Sequence, residues 1–218
     1  MDRYEIRDQL GRGGVGAVFR AYDNQLKREV ALKRLHPSDA ESDTESLLQE
    51  ARTLSTLMHP NIVTVFDVGQ DEQGAFVVME LLEGETLEQT VERNVLTADD
   101  LREVVHQSLE ALIAAQAANM MHRDLKPGNI MVIWRPSGKF QIKILDFGLA
   151  KISSAPSRQT IDQGDAIMGS IYFMAPEQFE RVDLSYATDH YAMGCIYYYC
   201  LTGRFPFDGE TAPQVMMA

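Results

Sequence analysis

The chain has 218 residues, 45% of them hydrophobic and 24% charged, a globular balance able to bury a core as one large domain or two small lobes. Its 20 Lys and Arg stand against 32 Asp and Glu, and the net charge of -12 argues against a general nucleic-acid binder while leaving room for a locally basic groove. No apolar run reaches the ~18 residues of a membrane span, no signal pattern opens the chain, and Cys195 and Cys200 point to different faces of an apparent helix, so a reducing, cytoplasmic setting is expected, with any membrane anchor outside these residues.

Tyr4 to Leu10 and Val15 to Asp23 predict strands, because β-branched and aromatic residues flank a run of glycines that can take positive φ. The connection, Gly11-Arg12-Gly13-Gly14-Val15-Gly16-Ala17-Val18, has the G-x-G-x-x-G-x-V form of a loop that covers phosphates. Taken alone it also fits an ordinary Gly-rich hairpin. A third strand, Glu29 to Leu35, follows and carries Lys33 at the end of Val30-Ala31-Leu32-Lys33, where a phosphate-facing charge is needed. Residues 36 to 45 are polar and acidic, a loop. Leu47, Leu48, Ala51, Leu54 and Leu57 then recur at helical spacing and predict a helix over Ser46 to Met58, with Glu50 beside its apolar face.

Asn61 to Val68 and Ala75 to Leu82 predict two strands around a polar turn, Gln70 to Gly74. Beyond them the pattern turns helical. Leu87 to Arg93 is a short helix, and Thr97 to Asp100 opens a longer one with a start resembling a capping box. Leu101, Val105, Leu109, Leu112 and Ile113 are its expected apolar face, continuing toward Asn119.

The centre of the chain is His122-Arg123-Asp124-Leu125-Lys126-Pro127-Gly128-Asn129, followed by a β-rich hairpin and Asp146-Phe147-Gly148. An Asp, a Lys and an Asn close together, then a second Asp, can hold a hydroxyl and metal ions around one phosphoryl group. Ala175-Pro176-Glu177 closes the set. With these motifs in this order, the chain resembles a bacterial eukaryotic-like (Hanks-type) serine/threonine protein kinase, from about Tyr4 to its last residue.

The resemblance implies an α+β fold of two lobes: a small antiparallel β-rich lobe with one helix at about 1–79, a hinge at about 80–84, and a mainly helical lobe at about 85–218 that lacks its last helices. It implies transfer of the γ-phosphate of Mg·ATP, with Mn2+ as the alternative ion, to serine or threonine hydroxyls of protein substrates, this chain among them. Asp124 would orient the hydroxyl and accept its proton, Lys126 would add charge at the transferring group, and Lys33, paired with Glu50, would hold the phosphates. Asn129 and Asp146 would be the metal ligands, as hard oxygen donors suit Mg2+. Gly11, Gly13 and Gly16 would cover the phosphates; Leu10, Val18, Ala31 and Met131 would sandwich adenine, with backbone groups of Glu80 and Leu82 at its edge and Met79 behind it. His122, Phe147, Leu54 and Val65 match an apolar stack that links the lobes. Lys126 and Ser170 mark the serine/threonine class.

Between Ser153 and Asp165 the chain is polar, and Arg123 is placed to pair with a phosphate there. The positions where bacterial relatives carry threonines hold Gly164 and Asp162, leaving Thr160, Ser157, Ser154 and Ser153 as candidates and predicting weak dependence on phosphorylation. Asp189 matches an aspartate that supports the catalytic loop. Glu177 would have its partner beyond the end of the chain. The helix at Asp189 to Thr202, apolar almost all round, is expected to be left partly uncovered and to pair two copies into a homodimer, unless Phe205 to Ala218 folds back over it. The rival reading is a pseudokinase or scaffold that binds nucleotide and partner proteins without turnover.

Overall fold

Alternation of inward and outward residues governs the first part of the chain. The computed structural model describes residues 3–13, 16–35, 53–93, 96–147, 169–180, 182–209 and 214–215. Strands β1 (Tyr4–Gly13), β2 (Gly16–Asp23), β3 (Arg28–Leu35), β4 (Val65–Asp71) and β5 (Gly74–Met79) form a five-stranded antiparallel sheet in the order β1-β2-β3-β5-β4. The first strand runs past Leu10 to Gly13, and its register shifts around Leu10. Strand β4 begins only at Val65, later than its apolar pattern suggests, because residues 61 to 64 are drawn to the other lobe: Val63 N–H donates to Ile144 O at 3.0 Å and Ile144 N–H to Asn61 O at 2.9 Å.

Side chains on a strand point alternately to opposite faces. Val30 and Leu32 pack with Tyr4, Ala21, Phe76 and Val78 in a small outer cluster, whereas Ala31 and Leu35 join Val65, Val77 and Met79 in the main core. Lys33 therefore shares the inner face, toward the second lobe. Gly16 is required by the packing of β2 on β3, since a Cβ there would stand 1.9 Å from Arg34 O. The turn into β3 is tied by Asp23, whose Oδ1 accepts the N–H groups of Gln25 at 2.9 Å and Leu26 at 3.1 Å. Arg3 pairs with Asp23 and with Asp67, and the Tyr4 hydroxyl donates to Asp67 at 2.6 Å, stapling the start of β1 to β4.

The second lobe contains a sheet of β6 (Glu85–Thr86), β7 (Ile130–Trp134) and β8 (Phe140–Ile144), with helices α1 (Leu87–Arg93), α2 (Ala98–Ala117), α3 (Pro176–Glu180) and α4 (Tyr186–Thr202). Gly84 admits the chain to this sheet, as a Cβ there would lie 2.3 Å from Val132 O. Thr97 and Asp100 complete a capping box at α2, satisfying donors that the first turn leaves without partners. The face α2 buries differs from the expected one. Val104, Ala111, Leu112 and Ala115 are buried, but Leu109 and Ile113 are 40% and 67% exposed. The small residues let α2 approach α4 closely, and the apposition holds Ser108 Oγ 2.6 Å from the Tyr197 hydroxyl, on the side away from Ile113.

Helix α4 is the core of this lobe, with Asp189, Met193, Ile196 and Cys200 buried. It is less bare than its composition suggests. Phe205 folds back and stacks on Tyr172 with centroids 4.0 Å apart and on Tyr199 at 5.3 Å, while Phe207 stacks on Tyr191 at 6.4 Å. Its large apolar residues that stay exposed among the described ones are Tyr198 and Leu201. Cys195 and Cys200 are separate buried thiols, and burial pushes Cys200 up to about 12, which leaves it unreactive. Among the described residues no helix is long and apolar enough to cross a membrane.

Candidate active site

The register of β3 presents Lys33 to the second lobe. Val18 lies opposite Lys33 on β2, and Ala31 lies opposite Met79 on β5. Lys33 Nζ stands 2.6 Å from Asp146 Oδ2, with the two side chains 6% and 26% exposed. Glu50, expected as the partner of Lys33, lies outside the described residues, as do Gly148 and the segment holding Thr160, Ser157, Ser154, Ser153, Asp162 and Gly164. In this structure Asp146 takes the lysine.

Asp146 follows β8 directly and has left-handed backbone, φ 58°. Such a conformation costs an ordinary residue on the order of 1–2 kcal/mol, so neighbours must hold it. Leu145 N–H donates to Asn129 O at 2.8 Å, and His122 Nε2–H donates to Leu145 O at 2.6 Å. On the other side Phe147, 1% exposed, packs edge-on against the His122 ring at 4.9 Å. Leu54 and Val65 are buried in the same core as Phe147, so this stack joins residues of both lobes.

Arg123, immediately before Asp124, is left-handed as well, with φ 69°. Buried Asp189, projecting from the first turn of α4, accepts the N–H of His122 at 2.7 Å and that of Arg123 at 2.8 Å. The Asp124 N–H donates to His122 Nδ1 at 3.3 Å. With Nε2 donating and Nδ1 accepting, the tautomer of His122 follows from its partners. Asn129, in a 3-10 turn over Pro127–Asn129, spends its Nδ2 on Asp124 O at 2.8 Å. Its amide oxygen is thereby left as the atom for another partner. Lys126 Nζ lies 3.1 Å from Asp124 Oδ2 and 2.7 Å from Ser170 Oγ, so it joins the loop to the residues before α3. Asp124 and Lys126 keep 27% side-chain exposure, accessible from solvent yet held.

The residues expected around adenine and phosphate are divided between the two sheets. Gly11 pairs with Val18 and Gly13 with Gly16 across the β1–β2 hairpin, and Leu10 sits at the register shift with 48% exposure. Met131 pairs with Thr86 and Lys143, on the opposite lobe from Ala31. Glu80 N–H donates to Thr64 O at 3.0 Å, and its carboxylate accepts from Thr64 N–H at 2.7 Å and Lys143 Nζ at 2.6 Å. The Glu80 side chain is thus turned toward β8, while Leu82 follows it half-buried. Among the described residues no His, Cys, Asp and Glu cluster of metal-binding form is present; the carboxylate beside Lys33 is that of Asp146.

Sequence reasoning missed two features here. The Lys143–Glu80 pair joins β8 to the segment that follows β5 and carries no local signal. Gln178, on α3, donates from Nε2 to Arg123 O at 2.9 Å; its place just after Glu177 marks a helix start but not that contact. Glu177, whose partner was expected beyond the chain, accepts from Thr188 Oγ1 at 2.7 Å.

A family model described as "Protein kinase domain" matches residues 4–218. The chain is 37% identical to the probable serine/threonine-protein kinase PknB of Lactococcus lactis over 99% of its length and 34% of that protein's. It is 39% identical to serine/threonine-protein kinase PknA of Mycobacterium tuberculosis, with 99% and 50% covered. For PrkC of Bacillus subtilis the values are 36%, 99% and 33%. The chain thus spans a third to a half of the length of these relatives. A crystal structure of Rad53 1-466 in complex with AMP-PNP superposes with a TM-score of 0.78 at 26% identity, over 99% of this chain and 52% of that one.

Proposed function

The chain belongs to the protein kinase family, and from that premise we propose that it transfers the γ-phosphate of ATP to serine or threonine hydroxyls of protein substrates, itself included. The observation that carries the reading is the convergence of Lys33 and Asp146 from opposite lobes, 2.6 Å apart, beside a loop that holds Asp124, Lys126 and Asn129. Phosphoryl transfer asks little covalent chemistry of the protein, so positioned charge does most of the work.

In this reading Asp124 orients the acceptor hydroxyl and takes its proton. Lys126, bonded to Ser170, places a positive charge at the transferring group and ties it to the substrate-facing segment. Lys33 leaves Asp146 for the ATP phosphates when nucleotide enters. Ala31, Val18, Leu10 and Met131 enclose the base, Met79 closes the space behind it, and backbone groups of Glu80 and Leu82 meet its edge. Gly11, Gly13 and Gly16 let the β1–β2 hairpin approach the phosphates closely. The donor set fits a hard divalent cation: Asp146 supplies a carboxylate and Asn129 an amide oxygen, and Mg2+ or Mn2+ held there would neutralise phosphate charge. Protein substrates are the partners. Pairing of two copies through α4 would rest on Tyr198 and Leu201.

Radiolabelled ATP with a generic protein substrate tests the reading. Wild type is expected to label substrate, and Asp124→Asn and Asp146→Asn are not. Nucleotide binding without transfer in wild type would turn the assignment to a scaffold.

A further inference from the structure

The peptide unit between Arg123 and Asp124 is held at both ends. Its carbonyl oxygen accepts from Gln178 Nε2 at 2.9 Å, and its N–H, that of Asp124, donates to His122 Nδ1 at 3.3 Å. Gln178 is itself fixed: its Oε1 accepts the Ala175 N–H at 2.9 Å, satisfying a donor just before α3 begins. An N–H at one side and a carbonyl at the other allow only one orientation of that amide. Asp189 meanwhile holds the N–H of Arg123 at 2.8 Å. A residue with φ 69° persists only where surrounding contacts over-determine it, and Gln178 supplies the contact on its carbonyl side. A small cavity lined by Arg123, Asp124, Ser170, Met174, Gln178 and Asp189 adjoins this contact.

We propose that Gln178 is a positioning residue for Asp124: it joins the helix that ends the substrate-facing segment to the backbone of the catalytic loop and sets the direction of the Asp124 carboxylate. The inference rests on Asp124 being the group that meets the acceptor hydroxyl. It predicts that rearrangement of residues 170 to 178 is felt at Asp124 through this hydrogen bond as well as through Lys126.

Two variants separate the contacts. Gln178→Met keeps the volume and removes both hydrogen bonds, whereas Gln178→Glu keeps an acceptor for Ala175 N–H and loses the donor to Arg123 O. Both are expected to lower kcat for peptide phosphorylation by about 10- to 100-fold, the scale of a small misplacement of a reacting group, with KM for ATP changed less than about twofold because the nucleotide contacts stay in place. A readout independent of turnover accompanies this. Exchange of the Asp124 amide hydrogen, followed by NMR, is expected to quicken by about 10-fold or more in both variants as the local opening becomes easier, with helix α4 unchanged. Wild-type kcat in Gln178→Glu, or an Asp124 amide that exchanges at the wild-type rate in both variants, overturns the proposal. A wild type that transfers no phosphate but shows the exchange difference retains the clamp and removes the functional reading instead.

Discussion

The two lobes hold their charged groups by different means. In the small lobe Lys33 rides on a strand whose neighbours, β2 and β5, fix its height and face by register, so its position is settled by the alternation of Val30, Ala31, Leu32 and Lys33. In the large lobe Asp124 and Asp146 lie on irregular backbone beside or at left-handed residues, and contacts from elsewhere in the chain hold them: the side chains of Asp189 and Gln178 on Arg123, the His122 ring and the Asn129 backbone carbonyl on Leu145, just before Asp146. A sheet spreads the positioning of one residue over many backbone hydrogen bonds. A loop concentrates it in a few side chains, so single substitutions there should displace the site most.

The most severe test removes the groups themselves. Asp124→Asn is expected to lower kcat by about 10²- to 10⁴-fold, and Lys33→Met to lower kcat/KM by about 10²- to 10³-fold. Steady-state assays with a peptide substrate check both. In each the melting temperature should move little, Asp124 being part-exposed and methionine able to fill the buried space of the lysine stem.

Next comes the support of the loop. Asp189→Ala leaves the buried N–H groups of His122 and Arg123 without acceptors, and each orphaned group costs roughly 1–3 kcal/mol. Chemical denaturation should therefore show a loss of about 2–5 kcal/mol, with activity falling alongside. A loss under about 0.5 kcal/mol would mean that the loop is not concentrated in this way.

The matching probe of the sheet is Gly16→Ala. The added methyl must move the β2–β3 pairing away from Arg34 O, at a cost of roughly 1–3 kcal/mol. The rise in KM for ATP should exceed the fall in kcat, because the damage is to the hairpin proposed to cover the phosphates rather than to Asp124. An equal effect on both constants would erase the contrast between the lobes.

The smallest effect is a pH dependence at the outer edge of the sheet. The guanidinium of Arg3, aided by the backbone N–H groups of Leu26 and Gln25, holds the Asp23 carboxyl at about 2, below its ordinary 3.8. A depressed carboxyl contributes stability in full above its unfolded value and loses it as pH falls through the folded one. Asp23→Asn should thus be less stable than wild type at neutral pH, and the difference should shrink between about pH 4 and about pH 2. A difference that stays constant across that window in pH-dependent melting would remove the ion pair as its cause.

Much of the candidate site was legible because its parts are short and local. The Gly11 to Val18 run, Lys33 on its strand, the Asp124 to Asn129 spacing and the place of Asp146 after a hairpin follow from residue types a few positions apart, and the capping box at Thr97 is local as well. What stayed hidden depends on which residues meet across the fold. Leu109 and Ile113 carry a helical period yet face solvent, because periodicity names a candidate face and only the position of α4 decides how much of it is covered. The return of Phe205 and Phe207 onto α4, the pairing of Glu80 with Lys143 and the hold of Gln178 on Arg123 O join residues far apart in the chain. The left-handed backbone at Arg123 and Asp146 belongs with these. Arginine does not favour it and aspartate only tolerates it; hydrogen bonds formed only once the lobes and helices are packed, among them those of Asp189 and Gln178, keep it in place. By itself the amino-acid sequence determined which charged and polar groups the proposed site has and on which strands and loops they lie. Tertiary structure decided where those groups point, because their direction is set by contacts between distant segments that no local period encodes.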